Sequence, residues 1–561
     1  MTRVCISLQQ WEQWSGEGYT HLPYLLHIPL DEQLLPTSWE VLWSEQFPHS
    51  VLLENGKGGR YTYLGLQPSG ILSGDLEHAE ERELYVDSLG MDQSSLSGAT
   101  AQQRESTLEM PQMKRQIKYH QGKPLDVLRQ WMSNYRAPRV QEAPPFIGGC
   151  AGFLSYDIAR SLERLPNRLP NELDLPEYVW LRFDRLWVVD HLEKELYCCV
   201  HLPAAEVTAV TDTHIDDGMA NYAVSVHYER AASIAEQMAQ QWQQWLTTVS
   251  ETDIQRCQLL EQHPAAMSDS RTEGYGFTTG FQQQAFQQAV QSVQHYIGQG
   301  DVFQVNLSLR SERAIEGTPE SIYEWLRLTN PSPYMGLLRL PGFQLVSASP
   351  ELLVSVRDGA VAARPIAGTR RRGTTEQEDL AMEQELLQTE KERAEHIMLV
   401  DLQRNDLGRI ARYGSVRVPE LMTIERYSHV MHLVSGVEAE LADNKDVYDV
   451  IAATFPGGTI TGAPKIRTME IIEELEQTRR GAYTGSMGWI DYSGNMELNI
   501  IIRTLTVKDQ IAYMQAGAGI VIDSDPYREY RECFNKSRAL ARAVMLSEQQ
   551  ARLRQEREDQ R

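Results

Sequence analysis

The segment YVWLRFDRLWVVDH, residues 178–191, decides the fold class of the N-terminal half of the chain. Aromatic and β-branched side chains dominate it, and apolar and polar positions alternate, which is typical of β-strands. The segment KELYCCVHL, residues 194–202, follows almost at once and has the same character. We therefore predict strands in both segments and a sheet-rich region over residues 1–275.

Downstream of this region, helical patterns alternate with extended ones. The segment FQQAVQSVQHYIGQGD (286–301) is amphipathic and ends on glycines, whereas FQLVSAS (343–349) and IAYMQAGAGIVI (511–522) have strand patterns. We assign residues 276–546 to a second region. The last segment, SEQQARLRQEREDQR (547–561), is charged and lacks an apolar face, so we treat it as a C-terminal tail.

Two polar stretches interrupt the apolar rhythm of the chain. Residues 95–116 are predicted to form a surface insertion, and residues 203–280 to connect the two regions.

The charge balance of the chain limits its partners. Asp and Glu number 77 against 53 Lys and Arg, and the net charge is −24. Such a field repels nucleic acid and anionic membranes, so neither is an expected partner. An anionic substrate would have to be attracted by local positive groups.

The sequence carries no sign of secretion or of membrane insertion. The N-terminus lacks a basic region followed by an apolar core, and no run of about 18 apolar residues occurs. The six cysteines have no disulfide or zinc spacing pattern. We expect a cytoplasmic protein with reduced thiols.

The segment RPIAGTRRRG, residues 364–373, concentrates four arginines in this acidic chain. The cluster is either an anion-binding loop or a solvated basic turn, and the residues alone leave both interpretations open.

Two pairs of carboxylates have the spacing of one helix face. Thr375 and Glu378 have capping-box spacing, which predicts the start of a long helix that runs toward Gly408. Glu392 and Glu395 lie three residues apart in this helical pattern, just before an apolar run. Glu529 and Glu532 follow a helix start at Asp525 and Pro526. Carboxylates on two helices can supply oxygens to Mg²⁺, although exposed ion pairs would also explain them.

Glycines and histidines add further candidates. FPGGTITGAPK (455–465) runs into a helix start that favours an anion, but it lacks the Lys-Ser/Thr of a Walker A loop. His429 and His432 would point to opposite faces of a strand, so at most one is catalytic. The GGCAG around Cys150 imitates the nucleophile elbow of glutamine amidotransferases, but an extended apolar segment follows it, so we reject that function.

Together these motifs resemble the chorismate-utilising enzymes, the family of anthranilate synthase component I and aminodeoxychorismate synthase component I. The resemblance runs from about residue 51 nearly to the end and is densest from GDVFQVNLS (300–308) to NKSRALARA (535–543). It implies an α+β fold of two intertwined antiparallel β-sheets, with helices outside and the active site between the sheets.

The resemblance also implies roles for individual residues. It implies a Mg²⁺ cofactor held by Glu395 and Glu532, with Glu392 and Glu529 close behind. It implies Glu351 as general acid and His432 as the residue that orients or deprotonates the ring. The implied contacts of chorismate are Gly368, Thr369, Thr459, Tyr483, Arg503, Gly517, Gly519 and Lys536.

Two products are compatible with the resemblance. DVFQVNLS, FPGGTITGAPK and LNIIIRT favour aminodeoxychorismate synthase component I, which aminates chorismate at C4 on the route to 4-aminobenzoate and folate. Ala367 points instead to anthranilate synthase, because one branch of aminodeoxychorismate synthases has a nucleophilic lysine there. Isochorismate or salicylate synthase and a non-catalytic tryptophan sensor fit less well, since no water-activating lysine is evident and both metal ligands are intact.

The resemblance implies two further ligands. Ammonia would come from a separate glutamine amidotransferase subunit, component II. A tryptophan pocket would involve Asn55, Pro333, Tyr334 and Met335, although Asn55 stands where the family usually has serine.

Overall fold

The computed structural model describes most of the chain. The described residues are 3–43, 47–56, 59–84, 115–204, 217–248, 253–254, 256, 258–259, 274–373, 375–426 and 430–559. The predicted insertion at residues 95–116 lies almost wholly outside these ranges. His429 also lies outside them.

Eleven α-helices are described, and none of them is long and apolar enough to cross a membrane. They are α1 (Leu8–Ser15), α2 (Pro124–Ser133), α3 (Ala159–Leu162), α4 (Asp217–Thr247), α5 (Gln283–Gly298), α6 (Pro319–Thr329), α7 (Glu376–Gln388), α8 (Glu390–Gly408), α9 (Val447–Thr454), α10 (Lys465–Leu475) and α11 (Pro526–Asp559).

The described strands, in chain order, are β1 (Arg3–Val4), β2 (His21–Pro29), β3 (Ser50–Glu54), β4 (Tyr61–Gly65), β5 (Gly70–Gly74), β6 (His78–Leu84), β7 (Arg115–Gln121), β8 (Gly149–Leu154), β9 (Tyr178–Phe183), β10 (Arg185–Asp190), β11 (Glu195–Pro203), β12 (Thr278–Thr279), β13 (Gln304–Ala314), β14 (Tyr334–Leu340), β15 (Phe343–Ser349), β16 (Leu352–Arg357), β17 (Ala360–Ala363), β18 (Ile366–Arg371), β19 (Arg417–Arg426), β20 (Val430–Glu440), β21 (Gly462–Ala463), β22 (Ser486–Asp491), β23 (Met496–Ile500), β24 (Thr504–Lys508) and β25 (Ile511–Ile520).

These strands form two antiparallel sheets. The first sheet has the order β1-β2-β11-β10-β4-β3-β14-β15-β24-β25-β13-β12, with β21 beside β13. The second has the order β18-β20-β17-β16-β23-β22-β8-β9-β5-β6-β7, with β19 beside β20. Each sheet takes strands from both ends of the chain, so the predicted α+β fold of two intertwined antiparallel sheets is confirmed. The predicted division of the chain into regions that end at residues 275 and 546 stays a prediction.

The segment of residues 178–191 forms two strands, as predicted, but they belong to different sheets. β9 pairs with β8 and β5 in the second sheet, and β10 pairs with β11 and β4 in the first. Both strands are buried along almost their whole length. Arg182 of β9 is therefore not a solvent-facing position. Its guanidinium forms a bidentate ion pair with Glu83, at 3.0 and 2.9 Å.

The two sheets pack face to face through large side chains. Phe153 of β8 meets Phe343 of β15 edge to face, with ring centroids 5.7 Å apart. Tyr63 of β4 lies 5.8 Å from the ring of Trp489 on β22. Because all four side chains are buried, the sheets share one core.

The predicted connection at residues 203–280 contains a long helix. α4 contacts β2 and β11 on the outer face of the first sheet. Its buried residues Ala231, Ala235, Met238, Trp242 and Trp245 recur every three to four positions. This helical period was present in the sequence, but the surrounding glutamines obscured it.

The long helical pattern of residues 376–408 is divided into two helices. Thr389 has an extended backbone conformation, closes α7 and precedes α8. The predicted N-cap of α7 is confirmed, since Thr375 accepts a hydrogen bond from the Glu378 N–H. The break lets both helices pack against β18 and β20.

The C-terminal residues that the sequence separates as a tail continue α11. Ser547, Glu548 and Gln550 are buried, and Gln550 accepts a hydrogen bond from the Trp325 indole at 2.9 Å. Polar contacts hold this segment, Gln550 with Trp325 and Glu548 with Arg313, so its burial does not require an apolar face in its own sequence.

We predict that α4 is an integral part of the core. Trp242→Ala should lower the free energy of unfolding by about 3–5 kcal/mol, because the side chain is fully buried beside Trp39 and Trp245. Urea unfolding followed by circular dichroism measures this. The exposed neighbour Gln243→Ala is the control and should change stability by about 0.5 kcal/mol or less. Equal effects of the two substitutions would contradict the packing of α4.

Candidate active site

A cavity of about 260 Å³ lies between the two sheets. Gly368 on β18 and His432 on β20 line it from the second sheet, and Gly517 and Gly519 on β25 line it from the first. The predicted site residues on its wall are Glu351, Gly368, Glu395, His432, Thr459, Tyr483, Arg503, Gly517, Gly519 and Lys536. The structure thus brings together residues that are up to 185 positions apart in the chain, since 536 − 351 = 185.

One wall of the cavity is formed by β13 and β25, which pair over ten residues. Gln304 and Asn306 project from β13 on the same face as Gly517 and Gly519 of β25. A Cβ on Gly517 would overlap the amide of Asn306, and one on Gly519 would overlap the amide of Gln304. The two glycines therefore make room for two amide side chains.

The amide oxygens of this wall are buried acceptors. The Gln304 Nε2 donates to Glu395 Oε1 at 3.0 Å, which fixes the orientation of that amide. Gln304 Oε1 and Asn306 Oδ1 have no hydrogen-bond partner among the described residues. Because buried polar atoms are normally paired, these oxygens await a donor from a ligand or water.

Two cationic side chains, Lys536 and Arg503, supply positive charge to the cavity. Lys536 of α11 donates to the Gly517 carbonyl at 2.9 Å, so its ammonium group is held against the cavity wall. Arg503 has a left-handed backbone, with φ of 49°, which is uncommon for a residue with a side chain. Burial lowers the pKa of Arg503, while the negative charges of Glu532 and Glu351 oppose this shift. The cavity therefore carries local positive charge in an acidic protein.

Glu351 is the buried carboxyl group of the site. Burial raises its pKa to about 7, and the nearby Thr459 hydroxyl, Lys536 and Arg503 act in the opposite direction. A carboxyl group with this pKa is substantially protonated near neutral pH and can donate a proton.

His432 has the opposite shift. It lies on β20 across from Thr369, whose side chain is outside the described part of the structure. Burial and the charge of Arg503 lower the pKa of His432 to about 4. The imidazole is therefore neutral near pH 7, so it can accept a proton but does not act as a cationic acid.

The four predicted metal ligands occupy two helices. Glu395 of α8 lines the cavity, and Glu532 of α11 lies one turn before Lys536. Glu392 accepts a hydrogen bond from Arg370 at 3.0 Å, and Glu529 lies one turn before Glu532. Among the described residues no three His, Cys, Asp or Glu side chains converge enough to hold a metal by themselves.

The arginine loop that we predicted either to bind an anion or to be solvated pairs with the protein's own carboxylates. Arg370 contacts Glu385 and Glu392. Arg371 pairs with Glu378, and Arg372 forms a bidentate pair with Asp379. These pairs attach β18 to α7 and α8. Ala367 and Gly368 of β18 nevertheless line the cavity. Gly368 has a φ of 71°, a backbone conformation that favours glycine.

A second cavity, of about 200 Å³, contains the predicted tryptophan pocket. Asn55, Pro333, Tyr334 and Met335 line it. The side-chain oxygen Oδ1 of Asn55 accepts a hydrogen bond from the Gly59 N–H at 2.8 Å, so the side-chain amide stabilises its own loop.

Cys150 is not part of a nucleophile elbow. It lies inside β8, fully buried, and burial raises the pKa of its thiol well above the ordinary value. The rejection of glutaminase chemistry at this residue is consistent with that position, because the thiolate is the nucleophile.

Gln304, Asn306 and Gln515 are cavity residues to which we assigned no role from the sequence. The signal was present, since polar residues at 304, 306 and 308 alternate with buried Val305 and Leu307. A strand whose polar face is buried has this pattern, but so does an ordinary surface strand.

Comparisons with known proteins indicate the family of this chain. A family model described as chorismate binding enzyme matches residues 81–542. The aminodeoxychorismate synthase component 1 of Bacillus subtilis (strain 168) is 41% identical over 534 residues, covering 94% of this chain and 98% of the relative. The anthranilate synthase component 1 of Acetivibrio thermocellus is 39% identical over 424 residues, covering 76% of this chain and 80% of the relative.

A solved structure extends the comparison to the fold. The crystal structure of anthranilate synthase component I from Streptococcus pneumoniae TIGR4 matches with a TM-score of 0.66 and 29% identity, covering 92% of this chain and 99% of that chain. The chain therefore belongs to the family of chorismate binding enzymes.

Proposed function

We propose that this enzyme aminates chorismate at C4 with ammonia and releases 4-amino-4-deoxychorismate. The observation that carries the choice of product is the similarity to an aminodeoxychorismate synthase component 1 over nearly the full length of both proteins. The product would lead to 4-aminobenzoate and folate in the cytoplasm.

The cavity suits a dianionic substrate. Chorismate carries a ring carboxylate and an enolpyruvyl carboxylate. Arg503 can bind the enolpyruvyl carboxylate through two parallel hydrogen bonds, which a lysine could not form. Gly517, Gly519 and Lys536 would offer backbone N–H groups and a positive charge, and Tyr483 and Thr459, which also line the cavity, would border the ring.

The carboxylates beside the cavity suit Mg²⁺. Glu395 and Glu532 would hold it, with Glu392 and Glu529 acting through water. The ion takes one or two carboxylates, waters and ligand oxygens, so an incomplete protein cluster fits it. When bound, it would supply positive charge opposite the ring carboxylate.

The acceptor atoms of β13 suit ammonia as the nucleophile. Gln304 Oε1 can accept a hydrogen bond from ammonia and thereby orient the nitrogen lone pair toward the ring. The amide nitrogen of Gln304 already donates a hydrogen bond to Glu395. Gln304 therefore offers ammonia a hydrogen-bond acceptor but does not act as a base.

Glu351 and His432 supply the proton chemistry. Glu351 gives its proton to the 4-hydroxyl as that group leaves, while ammonia or water adds at C2. Ammonia then attacks C4, the C2 group leaves as neutral ammonia or water, and the Glu351 carboxylate takes back a proton from the new ammonium group at C4. Neutral His432 orients the ring.

Anthranilate formation is the second candidate. Ala367 lines the cavity, and its methyl group cannot attack the ring. If the amine stayed at C2, His432 could remove the C2 proton and pyruvate would leave. The relatives named anthranilate synthase component 1 support this alternative.

A separate component would deliver the ammonia. The relatives are named component 1, which implies a second component, and we propose that it is a glutamine amidotransferase. The second cavity is proposed to bind tryptophan.

We predict that the metal ligands are indispensable. Glu395→Gln and Glu532→Gln should each lower kcat/KM for chorismate by about 10²-fold or more, since the lost charge weakens Mg²⁺ binding. Calorimetric titration with Mg²⁺ in the presence of chorismate gives a second readout. Glu376→Gln, at an exposed position of α7, is the control and should behave as wild type. Unchanged activity and Mg²⁺ affinity in both variants would reject this assignment.

The raised pKa of Glu351 predicts a pH limb. At a fixed concentration of free NH₃, kcat/KM should be constant below about pH 7 and fall above it, because the acid then loses its proton. Glu351→Gln should lose about 10²–10⁴-fold in rate. Asp491, another buried carboxyl group with a pKa raised to about 6, serves as the control. If Asp491→Asn also lost the pH limb, the limb would not belong to Glu351.

The product assay separates the two candidate functions. With chorismate, Mg²⁺ and ammonium, we expect 4-amino-4-deoxychorismate and no pyruvate until a lyase is added. Liquid chromatography with mass detection identifies the product. Fluorescent anthranilate and stoichiometric pyruvate without a lyase would establish the second candidate instead.

A further inference from the structure

A fully buried ion pair lies behind the cavity. Arg480 and Glu476 follow α10, and their side chains are 1% and 2% exposed. The guanidinium binds both carboxylate oxygens, Nη2 to Oε1 at 2.7 Å and Nε to Oε2 at 3.0 Å. Such a bidentate pair has a defined orientation.

Arg480 also binds the backbone of two cavity segments. Its Nη1 donates to the Ile460 carbonyl at 2.8 Å, and its Nη2 donates to the Asn306 carbonyl at 2.7 Å. Ile460 and Asn306 both line the cavity. The guanidinium lies 5.6 Å from the ring of Tyr483, another cavity residue.

Glu476 extends these contacts to Ser308, which projects from β13 on the same face as Asn306. Its Oε1 accepts hydrogen bonds from the Ser308 N–H at 2.8 Å and from the Ser308 hydroxyl at 2.7 Å. The Ser308 Oγ in turn accepts a hydrogen bond from Gln515 Nε2 at 2.9 Å. Gln515 belongs to the cavity wall on β25.

We propose that Arg480 and Glu476 are positioning residues for the reaction, because together they hold β13, β25 and the Thr459–Ile460 segment in register around the substrate. The inference rests on the proposed function of the cavity. Neither residue touches the cavity, so neither is catalytic.

Stability alone does not account for this arrangement. Buried ion pairs are often replaceable by apolar pairs without loss of stability. An apolar pair could fill the volume but could not donate to the Ile460 and Asn306 carbonyls or accept from Ser308. Those directional bonds set the position of the wall.

The test uses Glu351 as an internal reporter. The Thr459 hydroxyl, adjacent in sequence to Ile460, lowers the otherwise raised pKa of Glu351 together with Lys536 and Arg503. The other titratable groups on the cavity wall are Glu395, His432 and Tyr483. If Arg480 holds Thr459 in place, then changing Arg480 should raise the titration midpoint of Glu351.

Arg480→Lys keeps the charge but loses the bidentate pair and the backbone bonds. We expect kcat/KM for chorismate consumption to fall by about tenfold or more, with the pH limb shifted upward. The carboxyl stretch of Glu351, assigned by infrared difference against Glu351→Gln, should titrate at higher pH than in wild type. Thr459→Val should give the same shift, and the double variant no larger one.

Two further variants keep the proposal falsifiable. Arg182→Lys disrupts another bidentate pair, between buried Arg182 and partly buried Glu83, and should lower the Tm without moving the Glu351 titration. Glu476→Gln preserves the side-chain volume and replaces Arg480→Lys if that variant does not fold; it should shift the titration in the same direction.

The outcomes separate this inference from the proposed function. A Glu351 titration and kcat/KM within twofold of wild type in folded Arg480→Lys, or additive shifts in the double variant, would overturn the positioning role. The infrared titration needs no turnover. An unexpected product would therefore revise the function and leave the test of Arg480 intact.

Discussion

The pairing of β13 with β25 is the interaction on which the site depends. It places Gln304 and Asn306 beside Gly519 and Gly517, and the missing Cβ atoms are the space that the two amides occupy. A side chain at either glycine would displace an amide or separate the strands. Because a one-residue slip would turn every side chain of β13 to the other face, the register determines both the core and the cavity wall.

The electrostatics of the cavity are set locally, against the charge of the whole chain. The net charge of −24 would repel a dianion, yet Arg503 and Lys536 sit in a small cavity where a charge is screened less than in water. The arginines of residues 370–372 do not add to this field, since neighbouring carboxylates neutralise them. Charge is thus concentrated at two positions that the fold isolates.

The sequence predicted what depends on local order. Helix starts at Thr375 and Pro526 follow from side chains within one turn, and the strand patterns follow from period-two alternation. The family motifs identified ten of the residues that line the cavity. The change of sheet at Asp184 and the contacts of Arg480 were not predictable in this way, because they depend on partners on other elements, such as Asn306, which is 174 positions from Arg480.

Product choice illustrates the remaining limit. Ala367 only removes a possible nucleophile; it does not decide whether nitrogen stays at C2 or moves to C4. In the proposed mechanism, that outcome would depend on whether neutral His432 reaches the C2 proton before the C2 group leaves, which is a competition between two rates. Differences of about 1.4 kcal/mol in the two barriers change the product ratio tenfold. Under that proposal, the position of His432 on β20 relative to the ring enters one of the two barriers, so the positioning of the cavity walls would matter as well as the identity of any single residue.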